Sequence, residues 1–172
     1  MEVTEQEEND FYADMTLRKD NVRMCVDVAF ANTLYPGDNA IFESGDVSLD
    51  GIHVFVGKNW RDITRDLILI GYTAQWFLGR IAYQYFLPAF IIGGLNDEIT
   101  GSIARTFIPP SCPESPSAWN EFNNRFAGLS PEQYQCIRLF LDYVFHIWAD
   151  IFSEETFSCL AAYWENPFFR QH

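Results

Sequence analysis

The feature that most constrains this chain is the apolar run Tyr83–Leu95, YQYFLPAFIIGGL, which needs cover on most of its sides. Counted from Trp76, the run approaches the length of about 20 apolar residues that a membrane-spanning helix requires. Polar residues interrupt it, however, and Pro88 disfavours helical geometry at the residue before it. The run therefore predicts a buried core hairpin of two short helices, 78–86 and 88–95, that meet at a bend.

The rest of the chain is amphipathic and can pack around this run, and the length of the chain fits one domain. The chain has 172 residues, and a domain of that size buries about 70% of the surface that its unfolded chain exposes. We predict an all-α fold, a single compact domain of about six to eight helices over residues 20–172, packed around the Pro-bent central hairpin. Residues 1–19 are predicted to precede it as an acidic, partly flexible lead-in.

Net charge limits the classes of partner. The sequence has 24 acidic and 11 basic residues, which gives a formal net charge of −13. Nucleic acids and anionic membranes are bound mainly through Lys and Arg contacts to phosphate, so we expect neither as a partner. A cationic partner would be attracted. The alternative is that the acidic excess only keeps an aromatic-rich protein soluble.

Cysteine spacing and the first residues indicate a reducing cytoplasm. Cys25, Cys112, Cys136 and Cys159 form no CxxC pair and no metal-ligand spacing. Three of them fall in predicted helices, where a free cysteine behaves as a small buried hydrophobe. The first ten residues, MEVTEQEEND, have neither the basic start nor the apolar stretch of a secretory signal. We therefore expect a cytoplasmic protein without a structural disulfide.

Helical spacing and capping residues predict the other elements. The first helix is expected after Asp20, a good N-cap. The clearest start is Ser130-Pro131-Glu132-Gln133, where a cap Ser, a Pro at the first helical position and a Gln two residues later form a capping box. That helix should run to about residue 152, and Ser153 should cap a last helix. Further helices are expected over 62–75, 96–107 and 118–126, with a helical or irregular segment at 52–57.

Two loops that carry aromatic residues predict a candidate recognition groove. Tyr35-Pro36-Gly37-Asp38 has the Pro-Gly centre of a type II turn. The segment Phe55–Trp60 is the second, and exposed aromatic residues on turns often serve recognition. The alternative is a structural turn with Trp60 in the core.

A polar stripe on the predicted long helix is a chemical candidate. Arg138, Asp142, His146 and Asp150 stand four residues apart, and such a row could in principle bind a metal ion or act as acid and base. Such a site usually needs side chains from a second element, so we interpret the stripe as a solvated salt-bridge face. No histidine has a metal-ligand spacing, and there is no nucleophile elbow or phosphate loop. No catalytic residue, metal or cofactor is therefore predicted.

Five short motifs follow one another along the chain: YPGD at 35–38, Phe55 with Gly57 and Trp60, YFLPAF at 85–90, RFAGLSPEQ at 125–133 and AYW at 162–164. Taken together, they resemble an uncharacterised bacterial domain family. The resemblance covers roughly residues 20 to 165. The chain departs from the family pattern at Leu78-Gly79, where the family tends to have a Ser-Pro helix start. The resemblance implies a helical bacterial domain without an established activity.

The acidic charge, the small size and the missing catalytic set favour a protein-binding module. Most concretely, we expect an immunity protein that neutralises a cognate, often basic, bacterial toxin by occluding its active site. The alternative is an enzyme or small-molecule binder with a pocket near the central hairpin. The residues expected to contact a protein partner are acidic or aromatic: Glu5, Glu7, Glu8, Asp10, Tyr35, Asp38 and Trp60.

Overall fold

The part of the chain that the computed structural model describes is built from α-helices. It comprises residues 4–42, 51–96, 98–110, 116–148 and 154–165. These residues contain seven α-helices and no strand beyond an isolated bridge, which confirms the predicted all-α class. No described helix is both long enough and apolar enough to cross a membrane. The helices are α1 (Glu5–Ala29), α2 (Arg65–Ile70), α3 (Arg80–Gly93), α4 (Thr100–Arg105), α5 (Pro116–Phe126), α6 (Pro131–Trp148) and α7 (Glu154–Glu165).

The central apolar run forms one helix, α3, so the predicted hairpin of two helices is wrong. Pro88 lies inside α3. Because proline has no N–H, the carbonyl of Gln84 loses its helical hydrogen bond, and an interior proline costs about 3 kcal/mol. Phe86, Leu87 and Phe90, beside the proline, are at most 1% exposed. Each such burial contributes about 1.5 to 3 kcal/mol, so tertiary packing outweighs the local preference for a break.

Helix α3 is enclosed by the other elements. It contacts α1, α2, α4, α5, α6 and the 3₁₀ turn that begins at Trp60. Ring contacts fill the space around it, including Phe55 with Phe86 at 5.0 Å between centroids. The end of α3 lies close to Ile68 and Phe140 because it carries two glycines. An added Cβ at Gly93 would overlap Ile68, and one at Gly94 would overlap Phe140.

Helix α1 begins sixteen residues earlier than predicted. Its N-cap is Thr4, whose Oγ1 accepts a hydrogen bond from the Glu7 N–H at 3.3 Å. The Glu7 carboxylate in turn accepts from the Thr4 N–H at 2.8 Å, which completes a capping box. Asp20 therefore lies inside the helix and is not its cap. Residues 5–19, predicted as a partly flexible lead-in, are therefore helical, and Met15 among them is buried.

The other helices agree with the sequence predictions to different degrees. The start of α6 is confirmed, because the Gln133 N–H donates to Ser130 Oγ at 3.3 Å and the Ser130 N–H donates to Gln133 Oε1 at 3.0 Å. The helix predicted over 118–126 is confirmed as α5, and 52–54 is a 3₁₀ turn. Helices α2 and α4 are shorter than predicted, with only six residues each. The predicted cap Ser153 lies outside the described residues.

Candidate protein-binding site

The Tyr35–Asp38 turn holds two loops together. The Tyr35 hydroxyl donates to Asp38 Oδ1, and the Gly57 N–H donates to the Tyr35 oxygen at 2.7 Å and to Asp38 Oδ1 at 3.0 Å. Burial, followed by the hydrogen bond to Asp38, raises the pKa of Tyr35, so its hydroxyl keeps the proton that it donates. Gly37 has φ 89° and ψ 149°, whereas a type II turn needs ψ near 0°, so the predicted turn type is wrong. This network gives Tyr35 and Asp38 a structural role.

Trp60 lies in the core. Its side chain is 4% exposed, and the Arg61 guanidinium lies 4.1 Å from the centroid of its ring. A cation over an aromatic face is attracted to the ring quadrupole, so Arg61 covers the outer side of the indole. The expectation that Trp60 is an exposed recognition residue is therefore wrong.

The acidic candidates lie in the first two turns of α1. Glu5, Glu7, Glu8 and Asp10 are all exposed. The backbone hydrogen bond from Thr4, followed by its side-chain hydrogen bond, lowers the pKa of Glu7. Carboxylates near a helix N-terminus are also stabilised by the helix dipole. Glu7 therefore has a structural role in the capping box, whereas Glu5, Glu8 and Asp10 are exposed carboxylates that take no part in it.

A row of exposed residues runs along one face of α1. Asp10, Leu17, Asn21, Met24 and Val28 recur in steps of seven, four, three and four, which is the spacing of a single helix face. Leu17 is 60% exposed, Met24 64% and Val28 74%. Aligned, exposed apolar side chains of this size are typical of a surface that binds another molecule.

Two hollows lie between this row and α6. The first, about 230 Å³, is lined by Leu17 and Asn21 of α1 together with Leu139 of α6. The second, about 320 Å³, is lined by Val28 of α1 and Gln135 of α6. We call this surface the α1–α6 face. Its residues are Leu17, Asn21, Met24 and Val28 of α1 with Glu132, Gln135, Leu139 and Asp142 of α6.

Charged side chains join α1 to α6 beside the α1–α6 face. Arg18 Nε donates to Asp14 Oδ2 at 2.8 Å, and Arg18 Nη1 donates to Asp142 Oδ2. His146 Nε2 lies 3.2 Å from the same Asp14 oxygen, and its ring stacks on that of Phe11. The hydrogen bond to Asp14 is the largest influence that raises the pKa of Arg18, so the guanidinium stays charged. Partly exposed pairs of this kind contribute about 0 to 1 kcal/mol each, so they fix alignment more than stability.

The polar stripe predicted on α6 is thus in part a helix contact. Asp142 and His146 are exposed and pair with Arg18 and Asp14, which agrees with the interpretation of a solvated salt-bridge face but places the partners on a second helix. Asp150, the last member of the stripe, lies outside the described residues. Within the described ranges, no group of three His, Cys, Asp or Glu side chains is placed to hold a metal ion.

Sequence reasoning missed that α1 and α6 lie side by side, and with it the α1–α6 face. The contact between these two helices is the most extensive between any two described elements. Two signals in the sequence could have extended α1 towards the N-terminus. Thr4 and Glu7 have capping-box spacing, and Met15, Val22 and Val26, which are buried, recur in steps of seven and four.

A cleft of about 550 Å³ lies where α3 ends, near the place where the alternative function predicts a pocket. Three basic side chains line it, from Lys19, Arg23 and Arg65. Arg23 pairs with Asp20 at 3.1 Å, and Arg65 pairs with Glu98. The protein's own carboxylates therefore already neutralise part of the positive charge in this cleft.

Comparison with known proteins finds a family without an assigned function. A family model described as a family of unknown function, DUF6714, matches residues 46–168, which is more than two thirds of the chain. The match includes α2 to α7, while α1 and the YPGD motif at 35–38 precede it. No curated protein and no solved structure matches the chain.

Proposed function

The chain belongs to the DUF6714 family, whose function is unknown, and we propose that it is a small acidic cytoplasmic protein that binds and neutralises a basic bacterial toxin. The observation that carries this proposal is the α1–α6 face, an aligned apolar row bordered by carboxylates on a chain with a net charge of −13. The toxin is the partner, and neutralisation means that the toxin's active site is covered.

The composition of the α1–α6 face suits a protein partner. Protein interfaces combine an apolar centre with a polar rim. Leu17, Met24 and Val28 supply exposed apolar area, and Asp20 and Asp27 are exposed carboxylates on the same helix. A partner with apolar side chains ringed by Lys and Arg would complement both parts.

The charge of the chain favours a basic partner. A negative field of this size attracts cationic proteins and speeds their association. Enzymes that act on nucleic acid hold phosphate through Lys and Arg, so their active sites are basic. Carboxylates of α1 would compete with phosphate for those side chains, which is a direct route to neutralisation.

The first test is the salt dependence of binding to the protein encoded directly upstream. The two purified chains are mixed at rising ionic strength, and the association and dissociation rates are measured. The Debye length falls from about 30 Å at 0.01 M salt to about 8 Å at 0.15 M. We expect the association rate to fall by about tenfold or more over that range, with a smaller change in the dissociation rate.

A matched pair of charge variants tests the position of the acidic surface. The triple variant Glu5→Gln, Glu8→Gln, Asp10→Asn changes three exposed carboxylates of α1. The control Asp62→Asn, Asp66→Asn, Glu121→Gln changes net charge equally, at exposed positions outside α1. We expect slower association only in the first variant. Equal slowing in both would mean that net charge acts without a local acidic site.

A second pair tests the apolar row against another exposed apolar patch. That patch contains Trp76, 41% exposed, and Phe77, 49% exposed. Met24→Ser should speed dissociation from the toxin, because it removes apolar contact area at the α1–α6 face, while Phe77→Ser should not. The opposite result would move the interface to the patch around Phe77.

A small anionic ligand is the second candidate, because three of the basic residues line one cleft. If the upstream protein does not bind, while inorganic phosphate raises the melting temperature of the protein and Arg65→Ala abolishes that rise, the protein is a small-molecule binder. The variant Arg61→Ala is the control, since Arg61 covers Trp60 and is not among the residues that line the cleft.

A further inference from the structure

Two cysteines that are far apart in sequence meet between α1 and α6. The Sγ atoms of Cys25 and Cys136 lie 2.8 Å apart, although 111 positions separate the residues. The sequence does not indicate this pair, because the two cysteines are far apart in the chain and form no CxxC motif. We propose that Cys25 and Cys136 form a reversible disulfide that links α1 to α6, with a small-molecule disulfide such as oxidised glutathione as the oxidant.

The geometry favours closure of the bond. A disulfide needs about 2.05 Å between its sulfurs, so the observed separation is less than about 1 Å too long. Both residues lie on regular helices in the most extensive helix contact of the described fold. Val22 and Val26, on either side of Cys25, are at most 1% exposed and hold this part of α1 in place. The sulfurs therefore need to approach by less than about 1 Å, a displacement that side-chain rotation can supply.

The two thiols differ in access, which assigns their order of reaction. Cys25 is partly exposed and lines the hollow of about 320 Å³ between α1 and α6. Cys136 is fully buried, and its Sγ lies 3.3 Å from the Glu132 carbonyl oxygen, to which it donates a hydrogen bond. Burial, followed by the hydrogen bond with Cys25, raises the pKa of Cys136. An oxidant from solvent therefore reaches Cys25 first, and Cys136 remains a protonated thiol until its partner has reacted.

The reaction balances as two thiol–disulfide exchanges. The Cys25 thiolate attacks one sulfur of oxidised glutathione, which forms a mixed disulfide and releases one glutathione thiolate. Cys136 then loses its proton to that thiolate and attacks the Cys25 sulfur, which releases the second glutathione. Counted from the two thiols, the protein loses two protons and two electrons, which together are two hydrogen atoms. The Cys25 proton leaves to solvent when the thiolate forms, the second glutathione thiolate takes up a proton, and one oxidised glutathione becomes two reduced molecules.

The link would join α1, which precedes the family match, to α6 inside it. It closes a loop of 111 residues, and a loop of that length loses much of its unfolded-state entropy when it is cross-linked. We expect the oxidised protein to melt about 5 to 15 °C higher than the reduced protein. The inference does not depend on the proposed toxin, since it concerns the thiols alone.

The test is peptide mapping of the unmodified full-length protein after equilibration with oxidised glutathione. We expect a cross-linked peptide that contains Cys25 and Cys136, a loss of two hydrogen atoms in the intact mass, and complete reversal by dithiothreitol. A folded protein with no cross-link overturns the proposal. A glutathione adduct that persists on Cys25 also overturns it, because Cys136 would then fail to resolve the mixed disulfide.

Variants separate this pair from the other thiols. Cys25→Ser should abolish both the cross-link and the rise in melting temperature. Cys159→Ser, which changes a partly exposed cysteine of α7, should leave both unchanged. A rise in melting temperature that survives Cys25→Ser would contradict the assignment. Because the peptide map needs no variant, the proposal stays testable even where a substitution impairs folding.

Discussion

Helices α1 and α3 differ in what they contribute to the molecule. Of the 14 residues in α3, ten are buried, whereas α1 buries three of its 25. Helix α3 lies inside the family match and α1 precedes it. Helix α3 therefore supplies mainly core, whereas α1 supplies mainly exposed surface, including the apolar row of the proposed binding site. We expect mutations in the two helices to separate stability from binding.

The largest expected difference is between Phe90→Ala in α3 and Met24→Ala in α1. Phe90 is 1% exposed, and removing a buried Phe side chain leaves a cavity, so the free energy of unfolding should fall by about 3 to 5 kcal/mol. Met24 is 64% exposed, and its replacement should change the free energy of unfolding by less than about 0.5 kcal/mol. Denaturant titration followed by circular dichroism measures both. Similar losses in the two variants would mean that the Met24 side chain is packed in solution and not exposed.

Gly93→Ala tests how closely α3 approaches α2. The added Cβ would overlap Ile68 Cδ1, so we expect a loss of about 1 to 3 kcal/mol in the free energy of unfolding. In an Ile68→Val background the same change should cost less, because valine has no Cδ1. Gly101→Ala is the control, since no atom lies within 4 Å of its added Cβ, and it should stabilise by about 0.4 to 1 kcal/mol. An undiminished loss in the Ile68→Val background would assign the clash to another atom.

Local rules predicted the parts of this fold that local chemistry decides. The all-α class follows from helical spacing, and the start of α6 follows from the Ser130 capping box, which the structure confirms. The same reasoning failed at Pro88, where burial of the surrounding side chains outweighs one lost hydrogen bond. It failed again at the start of α1, because the many acidic residues there suggested a flexible segment, whereas Thr4 caps a helix.

The α1–α6 face depends on contacts that no local pattern contains. Arg18 and Asp142 are 124 positions apart, and Cys25 and Cys136 are 111 apart. Helical spacing shows which side of each helix is apolar, but several helices have such a side, and their pairing is decided by packing. Trp60 is a second example. The sequence left open whether its side chain is exposed or buried, and the packing of the structure shows that it is buried. Sequence reasoning therefore identified exposed acidic residues at the start of α1 but not the surface that α1 forms with α6.

A smaller effect is expected at the two capping boxes. Ser130→Ala should lower the free energy of unfolding by about 1 kcal/mol, because the first turn of α6 loses its side-chain acceptor. Thr4→Ala removes the same interaction from α1. We expect its effect on global unfolding to be the smaller of the two, since the first turn of α1 is exposed and can fray alone. Denaturant titration compares the variants, and equal losses would show that the start of α1 unfolds together with the core.

The smallest expected effect is the pH response of Glu7. Its pKa is lowered in the folded protein from the ordinary value of 4.5, first by the backbone hydrogen bond from Thr4 and then by the side-chain bond. A carboxylate with a lowered folded pKa stabilises the fold fully above its unfolded pKa and loses that contribution as pH falls through the folded pKa. The capping box should therefore weaken below about pH 4.5, while α3, which contains no carboxylate, stays folded. Titration of the Glu7 carboxyl carbon by NMR should give a midpoint below 4.5, and Thr4→Ala should raise it only part of the way, because the backbone bond remains. A midpoint at or above 4.5 would show that the capping box at the start of α1 does not form in solution. The first turn of α1 would then lack its cap, and only the later turns, which bury Met15, Val22 and Val26, would be held by the core.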